Sequence, residues 1–284
     1  MRNPVEITPA YLRTRPLPGD VAESDKDAHG KVLVVGAEPE LAGATILTAM
    51  AALRVGAGKL QIAAPADYAV QLALRMPEAR VVEGQDRAVE LAPHSDALII
   101  GPGLMDEQRA ASLTLRLLDA APRTAFLIDA AAMTGLRLSP GAAALCNGRA
   151  VLTPHAGEMA KLMDLEEDEV KRRAPQVAAA CAARFHAVVA LKGSETHIAS
   201  PGGEVWRNSC GVAGLGVSGS GDVLAGVIGG LLARGADPAT AANWGVYLHA
   251  QAGRRLSSTV GPRGFLAREL LGALPPELLA AEAA

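Results

Sequence analysis

The chain has 284 residues, of which 50% are hydrophobic and 20% are charged, and its formal net charge is −3. This composition is globular and excludes an intrinsically disordered protein. Because the slight negative charge comes without any basic cluster, we expect binding neither to nucleic acid nor to an anionic membrane.

Three features predict a soluble protein of the cytoplasm. The cysteines Cys146, Cys181 and Cys210 are odd in number and far apart, which favours buried or half-buried thiols over a disulfide framework or a zinc site. The first residues contain no apolar signal core. No run approaches the roughly 18 apolar residues that span a bilayer.

The chain divides into an arm, a domain and a tail. Prolines and a glycine between residues 16 and 19 interrupt any regular element, so we interpret residues 1–29 as an N-terminal arm with one short helix. Residues 30–276 contain no repeat and no linker and are interpreted as a single domain. Residues 277–284 are expected to fray.

From residue 31 onward, apolar runs alternate with longer segments of helical character. Runs that are apolar throughout are typical of parallel strands covered on both faces. Their alternation with helices predicts an α/β protein with a doubly wound sheet. The predicted strands are 31–36, 60–64, 97–101, 125–129, 150–153 and 187–192, followed by a hairpin of 196–200 and 204–207 around Pro201-Gly202-Gly203. The predicted helices are 41–55, 67–75, 107–120, 157–164, 168–185, 222–233, 238–256 and 266–272.

Five of the predicted strands end in glycines or reactive side chains. In open α/β sheets, ligands bind at the carboxyl ends of the strands. These ends therefore predict a ligand site on one rim of the sheet. They carry Gly36, Gly101-Pro102-Gly103, Asp129, Thr153-Pro154-His155 and Lys192-Gly193-Ser194.

The segment 214–226 carries the strongest chemical signal. Four glycines precede an apolar helix, whose free N–H groups and positive dipole end form an anion site. Gly219, Ser220 and Gly221 would present their amides to a phosphate. Asp222 would place a carboxylate beside that phosphate, which is costly unless it acts as a base or holds a cation. Without the glycines, Asp222 would be interpreted as a helix cap.

Two segments resemble familiar nucleotide-binding motifs, but the residues around them disfavour both interpretations. Gly214, Gly216 and Gly219 match G-x-G-x-x-G, but no apolar strand precedes them and another helix follows their helix, which disfavours a dinucleotide fold of that type. Gly58-Lys59 is not a P-loop, because leucines occupy the positions of its first glycine and its Ser/Thr.

The Gly219-Ser220-Gly221-Asp222 run resembles the anion-hole and aspartate motif of ribokinase-like enzymes. Within that superfamily the chain looks like the ADP/ATP-dependent (S)-NAD(P)H-hydrate dehydratases. The similarity is spread over residues 29 to about 253. The other matching segments are Gly43-Ala44 with 51–58, 101–104, 153–158 and 192–196. Each is weak alone, but five in this order are specific.

This resemblance implies a three-layer α/β/α fold and a repair reaction. Asp222 would take a proton from the hydroxyl of the hydrated nicotinamide ring, and that oxygen would attack the terminal phosphoryl group of ADP or ATP. Loss of phosphate, a far better leaving group than hydroxide, would restore NADH or NADPH. Such a transfer needs positioning and charge stabilisation, supplied by the amides of the glycine loop together with Mg²⁺, which commonly keeps waters and nucleotide phosphates as ligands.

The resemblance also assigns binding roles. Ala44, Gly103 and His155, with Asp222, match positions that bind the hydrate. Lys192, Gly193, Ser194, Glu195 and Thr196, with Gly221, match positions that bind the nucleotide.

The residues themselves leave several of these roles open. A lone histidine such as His155 is more often a loop or core residue. Glu158 either caps the next helix or orders metal-bound water. Asp129 is interpreted as structural, and Lys192 either pairs with phosphate or extends to solvent.

The resemblance further implies partners. Relatives often form tetramers, and the apolar excess around 241–256 would allow burial between subunits. An epimerase domain is often fused at the N-terminus of relatives; residues 1–29 are too short for one, so the epimerase is expected to be a separate protein. The glycine loop 211–216 departs from the usual family sequence, which affects its shape rather than the role of Asp222.

Two other functions compete with the dehydratase. A thiazole- or pyrimidine-type hydroxyl kinase of the same superfamily would use the same loop and Asp222, although thiazole-type kinases tend to carry Asn in place of His155. A non-catalytic nucleotide sensor would need no base, so Asp222 argues against it.

Overall fold

A computed structural model describes residues 3–19, 29–36, 38–139 and 141–283. The predicted arm therefore lies partly outside the described residues, at positions 1, 2 and 20–28, as does the last residue of the predicted tail. The strands are β1 Val5–Glu6, β2 Lys31–Val35, β3 Lys59–Ala64, β4 Ala79–Glu83, β5 Ala97–Ile100, β6 Ala125–Ile128, β7 Ala150–Leu152, β8 Val188–Leu191, β9 Thr196–Ala199 and β10 Val205–Asn208.

Thirteen α-helices are found in the described ranges. They are α1 Pro9–Arg13, α2 Ala42–Arg54, α3 Ala66–Arg75, α4 Gln85–Leu91, α5 Glu107–Ala120, α6 Ala130–Thr134, α7 Ala142–Cys146, α8 Ala156–Met163, α9 Glu167–Arg172, α10 Ala174–Phe185, α11 Ser220–Ala233, α12 Pro238–Thr259 and α13 Ala267–Ala283. Short 3₁₀ turns lie at Pro39–Leu41, Ala92–His94, Gly135–Leu138 and Ala213–Leu215.

The strands form one sheet in the order β1-β10-β9-β8-β7-β6-β5-β2-β3-β4. From β8 to β4 all neighbours are parallel, whereas β9 is antiparallel to both β8 and β10. The predicted mostly parallel α/β sheet and its hairpin are therefore confirmed.

Helices cover both faces of this sheet, because alternate residues of each strand feed two separate cores. In β2, Val32 and Val34 pack with α2, α3, α11, α12 and α13, whereas Leu33 and Val35 pack with α4 to α10. The period of two in a strand sends successive side chains to opposite faces. The three-layer arrangement follows from strands that are apolar throughout.

Several elements differ from the sequence prediction, which did not include the short β1, α4, α6 and α7. β4 was not predicted, because it is an edge strand in which charged Arg80 alternates with half-exposed residues. The predicted helix 168–185 is two helices that meet at Arg173, since Pro175 in the first turn of α10 has no N–H to continue a helix.

The last helix is also longer than predicted. α13 continues through Pro275 and Pro276 to Ala283, and Leu274 and Ala281 are buried against the rest of the chain. Burial of these side chains compensates for the two N–H groups that the prolines lack. The segment expected to fray is thus helical up to Ala283.

The apolar stretch of α12 does not provide the intersubunit surface suggested by the sequence. Its side chains between residues 239 and 250 are all buried within one chain. Trp244, for example, is 2% exposed, and its Nε1 donates to the carbonyl oxygen of Arg15 at 2.8 Å. The prediction of an oligomer therefore has no support from this helix.

Helices α2 and α11 cross at glycines, which brings the start of α11 over the rim of the sheet. A Cβ on Gly226 would lie 2.1 Å from the carbonyl oxygen of Thr48 and 2.7 Å from Ala51 Cβ. A Cβ on Gly230 would lie 2.6 Å from the carbonyl oxygen of Ala52. Only glycine permits this approach of the two backbones.

We expect Gly226→Ala to lower the free energy of unfolding by about 1–3 kcal/mol, because the added methyl group overpacks the helix crossing. Gly272→Ala is the matched control, since Gly272 is an exposed helical glycine with no atom near its Cβ position. That variant should be neutral or more stable by up to about 1 kcal/mol. Urea unfolding of both variants measures the difference, and equal stabilities would contradict a close helix crossing.

No helix in the described ranges is long and apolar enough to cross a membrane. The three cysteines are free thiols, with Cys146 and Cys181 buried and Cys210 half-buried, as predicted. Burial raises the pKa of the Cys146 thiol to about 11. These two buried thiols are therefore unreactive at neutral pH.

Candidate active site

The glycine-rich segment turns sharply into α11 at Gly219. Its φ is +87°, and a Cβ there would meet Leu47 Cδ1 at 2.6 Å. The N–H groups of Gly219, Gly221 and Asp222 donate to no acceptor in the described part of the chain, whereas that of Ser220 donates to Val217 O at 3.1 Å. The start of α11 thus presents three amides that could bind an anion, whereas the predicted amide of Ser220 is already engaged.

Asp222 lies in the first turn of α11, and its main chain is fixed by Thr48, whose Oγ1 donates to the Asp222 carbonyl oxygen at 3.0 Å. Burial raises the pKa of the Asp222 carboxyl to about 6, and the nearby Asp129 carboxylate adds to this, while Lys192 opposes it. A carboxylate with this pKa is ionised at neutral pH and can still accept a proton.

Lys192 lies at the centre of three carboxyl groups. Its Nζ is 3.3 Å from Asp129 Oδ1 and 3.8 Å from Glu158 Oε2, and its side chain is 20% exposed. Burial would lower the pKa of Lys192, but Asp129 and Glu158, together with Asp222, raise it above its ordinary value. The ammonium group therefore stays charged, and it points inward rather than to solvent.

This charge lies beside the start of α11. A Cβ on Gly221 would lie 3.6 Å from Lys192 Nζ, an ordinary contact distance, so the ammonium group is adjacent to the Gly221 main chain. Asp129, interpreted from sequence as structural, is 4% exposed, and its Oδ1 also accepts from Thr153 Oγ1 at 2.8 Å. The structure thus brings Asp129 into the cluster through Lys192.

His155 and Glu158 form a reciprocal cap at the start of α8. The Nδ1 of His155 accepts from the amides of Gly157 at 3.1 Å and Glu158 at 3.3 Å, while Glu158 Oε2 accepts from the His155 amide at 2.8 Å. The predicted capping role of Glu158 is therefore present. His155 is 59% exposed, so it is a surface residue of the rim rather than a core histidine.

A cavity of about 690 Å³ opens beside the start of α11. Most of the residues predicted to bind nucleotide line this cavity, and residues of the glycine loop and of α12 line the rest of it. The lining includes His155, Lys192, Gly193, Ser194, Thr196, Gly211, Ser220, Gly221, Leu224 and His249. Glu195 does not line it: its carboxylate lies 3.7 Å from the Arg207 guanidinium instead.

Ala44 and Gly103 lie at another part of the same rim. Ala44 is in the first turn of α2 and is partly exposed, and Gly103 follows β5 with a φ of +77°. The carbonyl oxygen of Gly103 accepts from the Glu38 amide at 2.8 Å. These two residues do not line the 690 Å³ cavity, so the structure divides the predicted residues into two groups on one rim.

Sequence reasoning missed His249, which lines the cavity from α12 and contacts Ser220. A single histidine among the alanines and leucines of that helix was its only signal. Asp129 had a better signal, because it ends a predicted strand on the ligand-binding rim.

The doubly wound sheet and the site at the start of α11 together define an enzyme of the ribokinase-like class. The site combines free amides, a carboxylate and a buried lysine. A solved protein of that superfamily shares the fold. Membership in the ribokinase-like class does not by itself identify the reaction that an enzyme catalyses.

Comparison with known proteins narrows the class to one family. Residues 32–276 match the profile of the NAD(P)H-hydrate dehydratase family. The chain is 44% identical to the ADP-dependent (S)-NAD(P)H-hydrate dehydratase of Xanthomonas campestris, over 96% of this chain and 94% of that one. The chain therefore belongs to the NAD(P)H-hydrate dehydratase family, as the resemblance in its motifs predicted.

Two further relatives bear on function. The ADP/ATP-dependent NAD(P)H-hydrate dehydratase of Bacillus subtilis, co-crystallised with ATP and Mg²⁺, superposes with a TM-score of 0.85 at 28% identity, covering 99% of this chain and 100% of that one. The bifunctional NAD(P)H-hydrate repair enzyme of Moorella thermoacetica is 36% identical over 95% of this chain, but the chain spans only 53% of its length.

Proposed function

We propose that the chain dehydrates the S form of NADH hydrate or NADPH hydrate and consumes ADP or ATP in doing so. The observation that carries this proposal is the Asp222 carboxyl group, which has a raised pKa and lies directly beside free amides at the start of α11. A base and an anion site in one helical turn suit the transfer of a phosphoryl group to a hydroxyl. Family membership supports the hydrated dinucleotide as the substrate.

In this mechanism Asp222 removes the proton of the ring hydroxyl as its oxygen bonds to the terminal phosphorus. The bond from that phosphorus to the bridging oxygen breaks, which releases AMP from ADP or ADP from ATP. Phosphate then leaves the ring with the electron pair of the carbon–oxygen bond, and loss of a proton from the neighbouring carbon restores NAD(P)H.

The other groups of the site stabilise charge. The amides of Gly219, Gly221 and Asp222 would donate to the transferred phosphoryl oxygens, where preorganised donors act most strongly. Lys192 would add a positive charge on the same side, because its Nζ faces Gly221. Both groups favour the negative charge that builds up during transfer.

The two residue groups on the rim suggest how two large substrates share the site. The nucleotide would occupy the 690 Å³ cavity along Lys192, Gly193, Ser194 and Thr196. The hydrate would lie across Ala44 and Gly103, with its nicotinamide ring over Asp222. His155, which also lines the cavity, would lie between the two substrates.

Magnesium fits the donor set without a protein cage. Among the residues that the structure describes, no cluster of three or more His, Cys, Asp or Glu side chains could hold a metal. Mg²⁺ is commonly bound through one or two carboxylates, waters and substrate phosphates. Glu158 would hold it through water, and it would neutralise phosphate charge when bound.

The proposal also extends to partners. Bifunctional relatives carry the same domain in chains about twice as long. Because the dehydration acts on one epimer, an epimerase would supply the S form. We also propose a homo-oligomer, a tetramer, for which size-exclusion chromatography with light scattering is the test.

The reaction is followed at 340 nm with purified protein, S-NADH hydrate, Mg²⁺ and either ADP or ATP. We expect absorbance to rise only when nucleotide is present, and Asp119→Asn, an exchange of an exposed acid, should leave the rate unchanged. The better nucleotide identifies the co-substrate. If neither nucleotide supports a rise, the dehydratase proposal is wrong, and phosphorylation of small alcohols by ATP would then favour the kinase.

A further inference from the structure

A buried histidine of α12 lies directly against the start of α11. His249 is 8% exposed, and its Nε2 lies 3.0 Å from the carbonyl oxygen of Ser220 and 3.1 Å from Ser220 Oγ. Its ring makes no other hydrogen bond to the residues that the structure describes. Both polar contacts of the ring thus fall on a single residue of the candidate active site.

The contact with the carbonyl group identifies the protonated ring nitrogen. A carbonyl oxygen can only accept, so Nε2 must carry a hydrogen at this distance. Burial lowers the pKa of His249 to about 4, partly offset by its hydrogen bond to Ser220. At neutral pH the ring is therefore neutral, with its single proton on Nε2.

This tautomer determines what the hydroxyl group of Ser220 can do. Because a protonated Nε2 has no free lone pair, Ser220 Oγ can accept from it but cannot donate to it. The hydroxyl hydrogen is then available for another acceptor, and Ser220 lines the same cavity as Gly221 and Lys192. The amide of Ser220 is engaged with Val217, so the hydroxyl is its one donor toward a ligand.

We propose that His249 is a positioning residue, which holds Ser220 so that its hydroxyl group donates to the phosphoryl group being transferred. The proposal rests on the proposed function, since it requires a phosphoryl group at the start of α11. It adds a side-chain donor to the free amides of the helix, and removing one such donor from an anion hole costs about 10²- to 10³-fold in kcat.

The tautomer can be tested without any activity. Long-range ¹H–¹⁵N correlation spectra of the imidazole groups, assigned by comparison with His249→Gln, should show His249 protonated at Nε2 and neutral from pH 5.5 to 8. Protonation at Nδ1 would overturn the proposal, because Nε2 could then accept the hydroxyl hydrogen. This result is independent of whether the protein is a dehydratase.

The kinetic test is a double-mutant cycle. We expect Ser220→Ala and His249→Ala each to lower kcat by about 10²- to 10³-fold with little change in the KM for nucleotide, and the double variant to be no slower than Ser220→Ala. His249→Gln should recover much of the rate, because its amide N–H can reach the same oxygen atoms.

Three results separate the possible failures. Additive losses in the cycle, or a His249→Gln variant as slow as His249→Ala, would show that His249 has only a packing role. If His249→Ala does not fold, the kcat of His249→Gln is compared with that of Ser220→Ala. A His249→Gln variant as slow as Ser220→Ala would contradict the proposal, because its amide N–H should still hold the Ser220 hydroxyl group. If wild-type protein has no turnover, the proposed function fails, while the imidazole spectra still decide the contact between His249 and Ser220.

Discussion

Asp222→Asn is expected to lose almost all turnover and, at the same time, to become more stable than the wild-type protein. The amide cannot accept the proton of the ring hydroxyl, and loss of a general base costs about 10²- to 10⁴-fold. Nucleotide binding should persist, because the free amides at the start of α11 belong to the main chain. Stopped assays at 340 nm and calorimetry with nucleotide measure the two effects separately.

The gain in stability follows from the pKa of Asp222. Its folded value of about 6 lies above its ordinary value of 3.8, so the folded protein holds this proton more tightly than the unfolded chain. The resulting cost of ionisation is absent below about pH 4, grows as the pH rises to about 6, and is constant above that. It amounts to at most about 3 kcal/mol at neutral pH.

The pH dependence makes this prediction specific. The kcat/KM of the wild-type protein should rise through a pKa near 6 as Asp222 ionises. Asp222→Asn should melt at a higher temperature at pH 7.5 and at the same temperature near pH 4. Asp119→Asn, at an exposed position, should change neither property. Full activity in Asp222→Asn would mean that another group is the base.

The overall fold could be predicted from the sequence because most of its strands are apolar on both faces. After its first residue, Lys31, β2 is apolar throughout, as are β5 and β6, and each of the three strands contributes side chains to both cores. β4 gave no such signal, since it lies at the edge of the sheet and is half exposed. Burial of Ala281 beyond Pro275 and Pro276 is likewise a tertiary effect, which local signals cannot show.

Only those parts of the candidate site that depend on residues close together in sequence could be predicted from the sequence. The glycines before Asp222 predicted an anion site, but they could not reveal that the amide of Ser220 turns back to Val217. The roles of Asp129 and His249 depend on contacts across 63 and 29 residues of sequence, with Lys192 and Ser220 respectively. Such contacts are set by the crossing of strands and helices, for which a single sequence holds no local pattern.

Lys192→Met should damage both stability and activity. Its removal leaves the buried Asp129 carboxylate without a cation, which typically costs about 3–5 kcal/mol. It also removes the charge that lowers the pKa of Asp222, so that pKa should rise and the acid limb of kcat/KM should move to higher pH. At pH 7 we expect a loss of at least about 100-fold.

The pH profile distinguishes the two ways in which Lys192 can act. If the lysine works only through the ionisation of Asp222, the rate of Lys192→Met should recover above pH 8, where Asp222 ionises without help. If the ammonium group also binds phosphate, the loss persists at every pH and the KM for nucleotide rises. Lys161→Met is the matched control, because Lys161 is 64% exposed, pairs with Glu107 and does not line the cavity. An unchanged melting temperature and pH profile in Lys192→Met would contradict the charge cluster itself, since three carboxyl groups cannot lose their common cation without a shift in their ionisation.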